Sequence, residues 1–240
     1  MILKTKKNVL RKEITEMYKN DEQFNMMVSE YGQKAGNELI ERLVNSRIES
    51  EELSYNRSIS AYGQYYSIYY CSVPLKQQIN SYYCGPATAL QTLYGLGLQG
   101  SVSGTTDAQK QTTLATAMGT NSQDGTYVYK LTQVLNSYIS TKKYSYVLGS
   151  SSSYTTFEND IIHSLFNDRP VILHARTEYL SYYGGHKSGH YISLDAWDAR
   201  YDSAELKDCN YDNKYFGTHS VPGNEVKAAV SDVNRYYIFY

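Results

Sequence analysis

Cys84 is the residue of this chain best placed to do chemistry. It is followed by Gly85, Pro86 and the helix-forming run Ala87-Thr88-Ala89-Leu90-Gln91-Thr92-Leu93, so its sulfur is expected at or just before a helix N-terminus. Unpaired backbone N–H groups and the helix dipole at such an end favour a thiolate over a thiol. Gln78, six residues upstream, is close enough for its amide to share the site. Far downstream, His190 opens a strand-like segment through Ile192 and Leu194 and can supply a base. A sulfur nucleophile, an amide donor for an oxyanion and an imidazole are the working parts of acyl transfer.

The other histidines fit this chemistry less well. His163 falls on a helix pattern and His174 inside a strand pattern, both structural positions, and His219 reads as a solvated loop residue. His186 and His190 are four apart, a spacing that invites a metal on a helix, but Gly184, Gly185 and Gly189 break any such helix. No metal site and no cofactor is therefore expected, and His186 is assigned to the rim. For the acidic partner of the imidazole, Asp195 lies an odd number of residues along the strand and should point away. Asp198 and Asp202 read as turn formers. Asp208, eighteen residues after His190, can return beside it through a hairpin, with Asn210 as its substitute.

These motifs resemble a known family. Val73-Pro74-Leu75, Gln78 and Tyr83-Cys84-Gly85-Pro86-Ala87, with Gly189-His190-Tyr191-Ile192-Ser193-Leu194 downstream, look like papain-like cysteine peptidases of the family C-39-like kind, relatives of bacteriocin-processing enzymes. Asp208 is similar to that family's acidic third member. The resemblance covers roughly residues 72–240. It implies an α+β papain-like fold, a helical half plus an antiparallel sheet, and a peptidase with Cys84, His190, Asp208 and the oxyanion donor Gln78 as catalytic residues. The partner implied is a peptide or protein substrate. Two other uses of the same residues stay open: a transamidating or amidase acyl transferase, and a peptide-binding module that does not cut.

Composition bounds the rest. The 240 residues are 41% hydrophobic, but 27 are tyrosines, so much of the apolar surface is amphipathic. With 23 basic and 24 acidic residues, net charge is −1, and neither nucleic acid nor an anionic membrane is called for. No apolar run reaches the roughly 20 residues of a membrane span. Met1-Ile2-Leu3-Lys4-Thr5-Lys6-Lys7 lacks the apolar core of a signal peptide. Few cysteines with many Tyr, Ser, Asn and Gly tilt the reading toward an extracellular or cell-surface bacterial-type protein, with a cytoplasmic one as the alternative. Cys71 and Cys209 could pair as a disulfide or stay as free buried thiols.

The elements that must position these groups follow from periodicity. Val9, Leu10, Ile14, Met17, then Phe24, Met27, Val28, Tyr31, then Leu39, Ile40, Leu43, Val44 predict two or three amphipathic helices broken near Asn20-Asp21 and Gly32. This stretch, residues 1–65, reads as a helical N-terminal extension or pro-region, and residues 66–240 as the peptidase domain. The Tyr-rich run Ser54–Tyr70 reads as a linker or extended strand. Beyond it, helices are expected over 86–94, 108–117, 127–137 and 154–166, and strands over 144–148, 171–174, 190–197, 205–209 and 236–240. Tyr179, Tyr182 and Tyr183 suggest an aromatic-lined cleft.

Overall fold

The computed structural model describes residues 2–59 and 68–240. Three helices come first: α1 (Ile2–Tyr18), α2 (Glu22–Tyr31) and α3 (Gln33–Ile59). Their breaks lie at the expected places. Asp21 caps α2, its Oδ1 accepting from the Phe24 N–H at 2.7 Å. Gly32 takes φ +82°, a left-handed conformation costly for a side chain, and so turns the chain into α3. The expected linker at Ser54 is instead the last part of α3. Its polar residues are compatible with an exposed helix face as much as with a coil. The remainder of that run, residues 60–67, lies outside the described residues, and β1 (Ile68–Tyr70) follows.

Then come α4 (Cys84–Gly95), α5 (Asp107–Met118), α6 (Val128–Ser137), β2 (Ser145–Leu148), α7 (Tyr154–Phe166) and β3 (Val171–Arg176). The chain closes with β4 (Gly189–Asp198), β5 (Ser203–Asp208), β6 (Gly217–Pro222), α8 (Gly223–Ser231) and β7 (Tyr236–Phe239). The α+β expectation holds: the strands form one antiparallel sheet in the order β2-β7-β3-β4-β5-β6, with β1 on the far end of β4. Two elements went unread in the sequence. β6 is a polar edge strand without strong alternation, and it carries His219, which is thus a strand residue and not a solvated loop. The helix α8 buries Val226, Ala229 and Val230 along one face.

Helices cover both faces of the sheet. Register sets Tyr236, His174 and Tyr191 in one row across β7, β3 and β4, and the His174 ring stacks on Tyr191 at 4.5 Å and on Tyr236 at 6.2 Å. On this face the Tyr236 hydroxyl donates to Asp21 Oδ2 at 3.0 Å, so one carboxylate both caps α2 and ties it to β7. Successive strand residues point to opposite faces. Tyr237 accordingly meets α7, donating to Asp160 Oδ2 at 2.7 Å. The N-terminal helices share the main core: Ile14, Tyr18, Met27, Leu39, Leu43, Val44 and Ile48 belong to the same buried cluster as Tyr146, Phe157 and Tyr236. Tyr18 also donates through its hydroxyl to the Tyr146 carbonyl. Among the described residues, no helix is long and apolar enough to cross a membrane.

The deepest polar link between α3 and the rest joins Arg47 Nη2 to Asp160 Oδ2 at 3.6 Å, with Ser152 Oγ accepting from the same nitrogen at 3.1 Å. Burial raises the Asp160 carboxyl to about 6 despite Arg47. A folded-state value above the unfolded one means that the contribution of Asp160 is present at low pH and is lost as pH rises through 6. Arg47→Met should therefore destabilise the fold by about 3–5 kcal/mol at neutral pH. In urea titrations the cost should shrink at pH 4, where Asp160 is neutral; an equal cost at both pH values would contradict this reading.

Candidate active site

Cys84 is the first residue of α4, as its sequence context requires. Pro86 falls in the first turn, where a missing N–H costs nothing. Every residue from Gly85 to Leu93 is buried, so α4 is a core helix rather than an amphipathic one. Gly85 is needed for close approach: a Cβ there would lie 2.5 Å from Thr126 Oγ1. Two side-chain bonds stitch α4 to β4. Thr88 Oγ1 donates to the Tyr191 carbonyl at 3.1 Å, and Ser193 Oγ donates to Gln91 Oε1 at 3.0 Å. The helix that starts with Cys84 and the strand that starts beside His190 are thereby locked in register.

His190 is buried, and its Nε2 lies 2.8 Å from Asp208 Oδ1. Asp208 is the last residue of β5, returned beside the ring by the β4–β5 hairpin, as expected. The ring interacts electrostatically with the sulfurs of both Cys209 and Cys84, and it shares a cleft lining with Cys84. Gln78 is also buried at this point; its Nε2 donates to the Asn80 carbonyl at 2.6 Å, and its Oε1 lies 3.8 Å from the Cys209 sulfur. An amide nitrogen carries two hydrogens, so one N–H of Gln78 remains available. The structure thus brings Gln78, Cys84, His190 and Asp208 together. Gln78, Cys84 and His190 line a cleft of about 500 Å³ whose rim includes His186, Lys214 and Tyr215. A hollow of about 630 Å³ among α1, α2 and α3, lined by Tyr18, Phe24 and Ile40, holds no nucleophile–base pair.

The remaining acidic candidates are engaged elsewhere. Asp195 faces Lys207 at 3.5 Å, and Asp198 pairs with Arg200 at 2.8 Å within its turn. Asp202 accepts from the Tyr154 hydroxyl, and Asp212 Oδ1 accepts from the Lys214 N–H at 2.9 Å. Asn210 does not replace Asp208 but supports it, its backbone N–H donating to Asp208 Oδ1 at 2.8 Å. Tyr182 and Tyr183, expected on the cleft rim, are turned inward instead, and both hydroxyls donate to Asp208 Oδ2, at 2.8 and 2.7 Å. Nothing in the spacing of two adjacent tyrosines announces this contact.

All three cysteines are free, so Cys71 and Cys209 do not form a disulfide. Cys71 is tied to β4, its N–H bonded to the Asp195 carbonyl at 2.8 Å. Cys209 instead packs under the start of α4, its sulfur 3.4 Å from Thr88 Oγ1 and 3.7 Å from the Cys84 carbonyl. The metal-ligating atoms of His190, Asp208 and Cys209 lie within 4.8 Å of one another. That set does not fit a cation, because both oxygens of Asp208 already accept two hydrogen bonds each.

Charge is distributed to favour an ion pair. Burial alone would lower the basicity of His190, but the Asp208 carboxylate outweighs it and holds the imidazolium well above its ordinary range. Burial likewise opposes ionisation of Cys84, yet the hydrogen bond and charge of His190, with backbone contacts at Tyr191 and Gly85, bring the thiol below its ordinary value. Burial pushes the thiols of Cys209 and Cys71 up. The outer histidines are structural: His163 Nδ1 sits 3.1 Å from the Tyr240 carbonyl, and burial keeps His174 well below its ordinary range.

A sequence model of the Peptidase_C39 like family matches residues 70–237. The chain belongs to this family. The matched span includes the residues from Gln78 to Asn210 and leaves out α1–α3. Among solved structures, the chain is similar to a double glycine motif protease from an AMS/PCAT transporter in complex with the leader peptide. Identity there is 13%, with 71% of this chain and 91% of that one covered and a TM-score of 0.46. It is similar also to the peptidase domain of Streptococcus ComA, a bi-functional ABC transporter involved in a quorum sensing pathway. In that case identity is 17%, coverage 70% and 97%, and the TM-score 0.46. No curated protein matches.

With one thiol lowered and two raised, iodoacetamide at about pH 6 should label this C-39-like chain at Cys84 alone, since an ordinary thiol is nearly all protonated there. Peptide mapping by mass spectrometry checks it. Labelling spread over Cys71 and Cys209 as well would contradict the charge assignment.

Proposed function

We propose that this chain is a cysteine peptidase in which Cys84 is the nucleophile, His190 the general base and acid, Asp208 the residue that orients the imidazole, and Gln78 an oxyanion donor. The observation that carries the reading is a buried His190–Asp208 pair in the same cleft as a cysteine at a helix start, with Gln78 beside it. Membership of a peptidase family supports a peptide or protein as substrate.

The chemistry runs as two acyl transfers. The Cys84 thiolate attacks the scissile carbonyl carbon, and the carbonyl electrons move to oxygen. That oxyanion accepts from the remaining Gln78 N–H and from the Cys84 backbone N–H, which α4 leaves unpaired in its first turn. The tetrahedral adduct collapses as the imidazolium gives its proton to the departing amine, leaving a thioester on Cys84. A water molecule, deprotonated by the now neutral His190, attacks the thioester and releases the acid and the thiolate. Asp208 sets the tautomer throughout by holding Nε2.

Cleavage of a fluorogenic peptide library checks this reading. Cys84→Ala should abolish turnover, and Gln78→Ala should lower kcat by on the order of 10²–10³ with KM little changed, the cost of one oxyanion donor. A Cys84→Ala protein that cuts as fast as the parent would end the proposal. A Gln78→Ala protein that changes KM alone would remove Gln78 from the oxyanion site.

A further inference from the structure

Asp208 is completely buried, an environment that drives a carboxylate to take up a proton. It is held in a cradle of four donors. Oδ1 accepts from His190 Nε2 and the Asn210 N–H, both at 2.8 Å, and Oδ2 accepts from the hydroxyls of Tyr182 and Tyr183, at 2.8 and 2.7 Å. The two phenols come from one short turn, Ser181–Tyr183, in the connection between β3 and β4. The proton of Tyr183 has one direction to take, because Asn210 Nδ2 donates to the same hydroxyl oxygen at 2.8 Å.

The rings themselves are clamped from the hairpin that carries Asp208. Tyr182 stacks on His219 with centroids 3.8 Å apart and planes within 5°. His219 Nε2 in turn lies 2.8 Å from the Tyr215 carbonyl. Tyr183 stacks on Tyr215 at 4.3 Å. Packing alone would ask for the rings; it would not ask for both hydroxyls on one carboxylate oxygen.

Resting on the triad proposed above, we infer that Tyr182 and Tyr183 are positioning residues for the reaction: their phenolic protons keep Asp208 ionised and leave Oδ1 aimed at His190. Hydrogen bonds given to the charged form of an acid hold it charged. Without them Asp208 protonates at higher pH, the imidazolium loses its counter-charge, and the thiolate–imidazolium pair fades earlier as pH falls.

Phenylalanine keeps the ring and removes the hydroxyl, so the test uses Tyr182→Phe, Tyr183→Phe, the double variant and Asp208→Asn in the full chain. Each single variant should lower kcat roughly tenfold with KM unchanged and raise the acid midpoint of the kcat/KM profile by about half to one pH unit. The double variant should approach Asp208→Asn, and adding Tyr183→Phe to Asp208→Asn should cost nothing more. Tyr182→Phe, whose ring is held by His219 and not by Asn210, gives the same reading should Tyr183→Phe not fold. If Asp208→Asn loses activity while both Phe variants keep the parental kcat and pH profile, the tyrosines are packing and this inference alone falls. Should Asp208→Asn itself retain the parental kcat, the triad falls and the inference with it.

Discussion

The bond between His190 Nε2 and Asp208 Oδ1 is the interaction on which the site depends. Burial works against both partners: it would strip the imidazole of its proton and push one onto the carboxylate. Each survives charged because the other is there, which is the condition for a buried pair to be tolerated. The pair then acts outward. In the resting protein the charge on His190 lowers the neighbouring Cys84 thiol, and the start of α4 adds its dipole in the same direction. Cys209 makes the contrast within one site. His190 acts on its buried sulfur too, yet burial prevails there and the thiol is raised.

A pair of this kind demands a rigid frame, and the fold supplies one. The sulfur and the ring come from segments more than a hundred residues apart, yet Thr88 and Gln91 on α4 are bonded to Tyr191 and Ser193 on β4. The β4–β5 hairpin fixes the carboxylate against the ring by strand register. Behind the sheet, α1–α3 extend the core around β2, β7 and α7 through buried groups such as Asp21, Tyr18 and Arg47. None of the residues lining the cleft comes from the described part of these helices.

Much of this was legible in the sequence where local chemistry and tertiary need agree. Asp21 and Gly32 punctuate the first helices because a cap and a left-handed turn have few alternatives. The span of α7 was read to the residue, and Cys84, Gln78, His190 and Asp208 converge as their spacing suggested. The failures have physical causes. Ser54–Ile59 is polar enough for a coil and equally suited to an exposed helix. β6 is an edge strand whose first four residues, Gly217-Thr218-His219-Ser220, carry no hydrophobic alternation, so His219 looked like a loop residue. Cys71 and Cys209 directly follow β1 and β5, two strands that the sequence cannot place relative to one another. Tyr182 and Tyr183 were taken for rim residues because the sequence does not tell which way an adjacent pair of aromatics turns out of an irregular loop.

The central claim is that Cys84 is ionised near neutrality because His190, held by Asp208, remains protonated beside it. The most direct measurement is an ultraviolet titration of thiolate absorbance, parent protein minus Cys84→Ser. The difference signal should already be present at pH 6 and fade only on further acidification. A difference signal that rises only near the ordinary thiol value of about 8.5 would contradict the account.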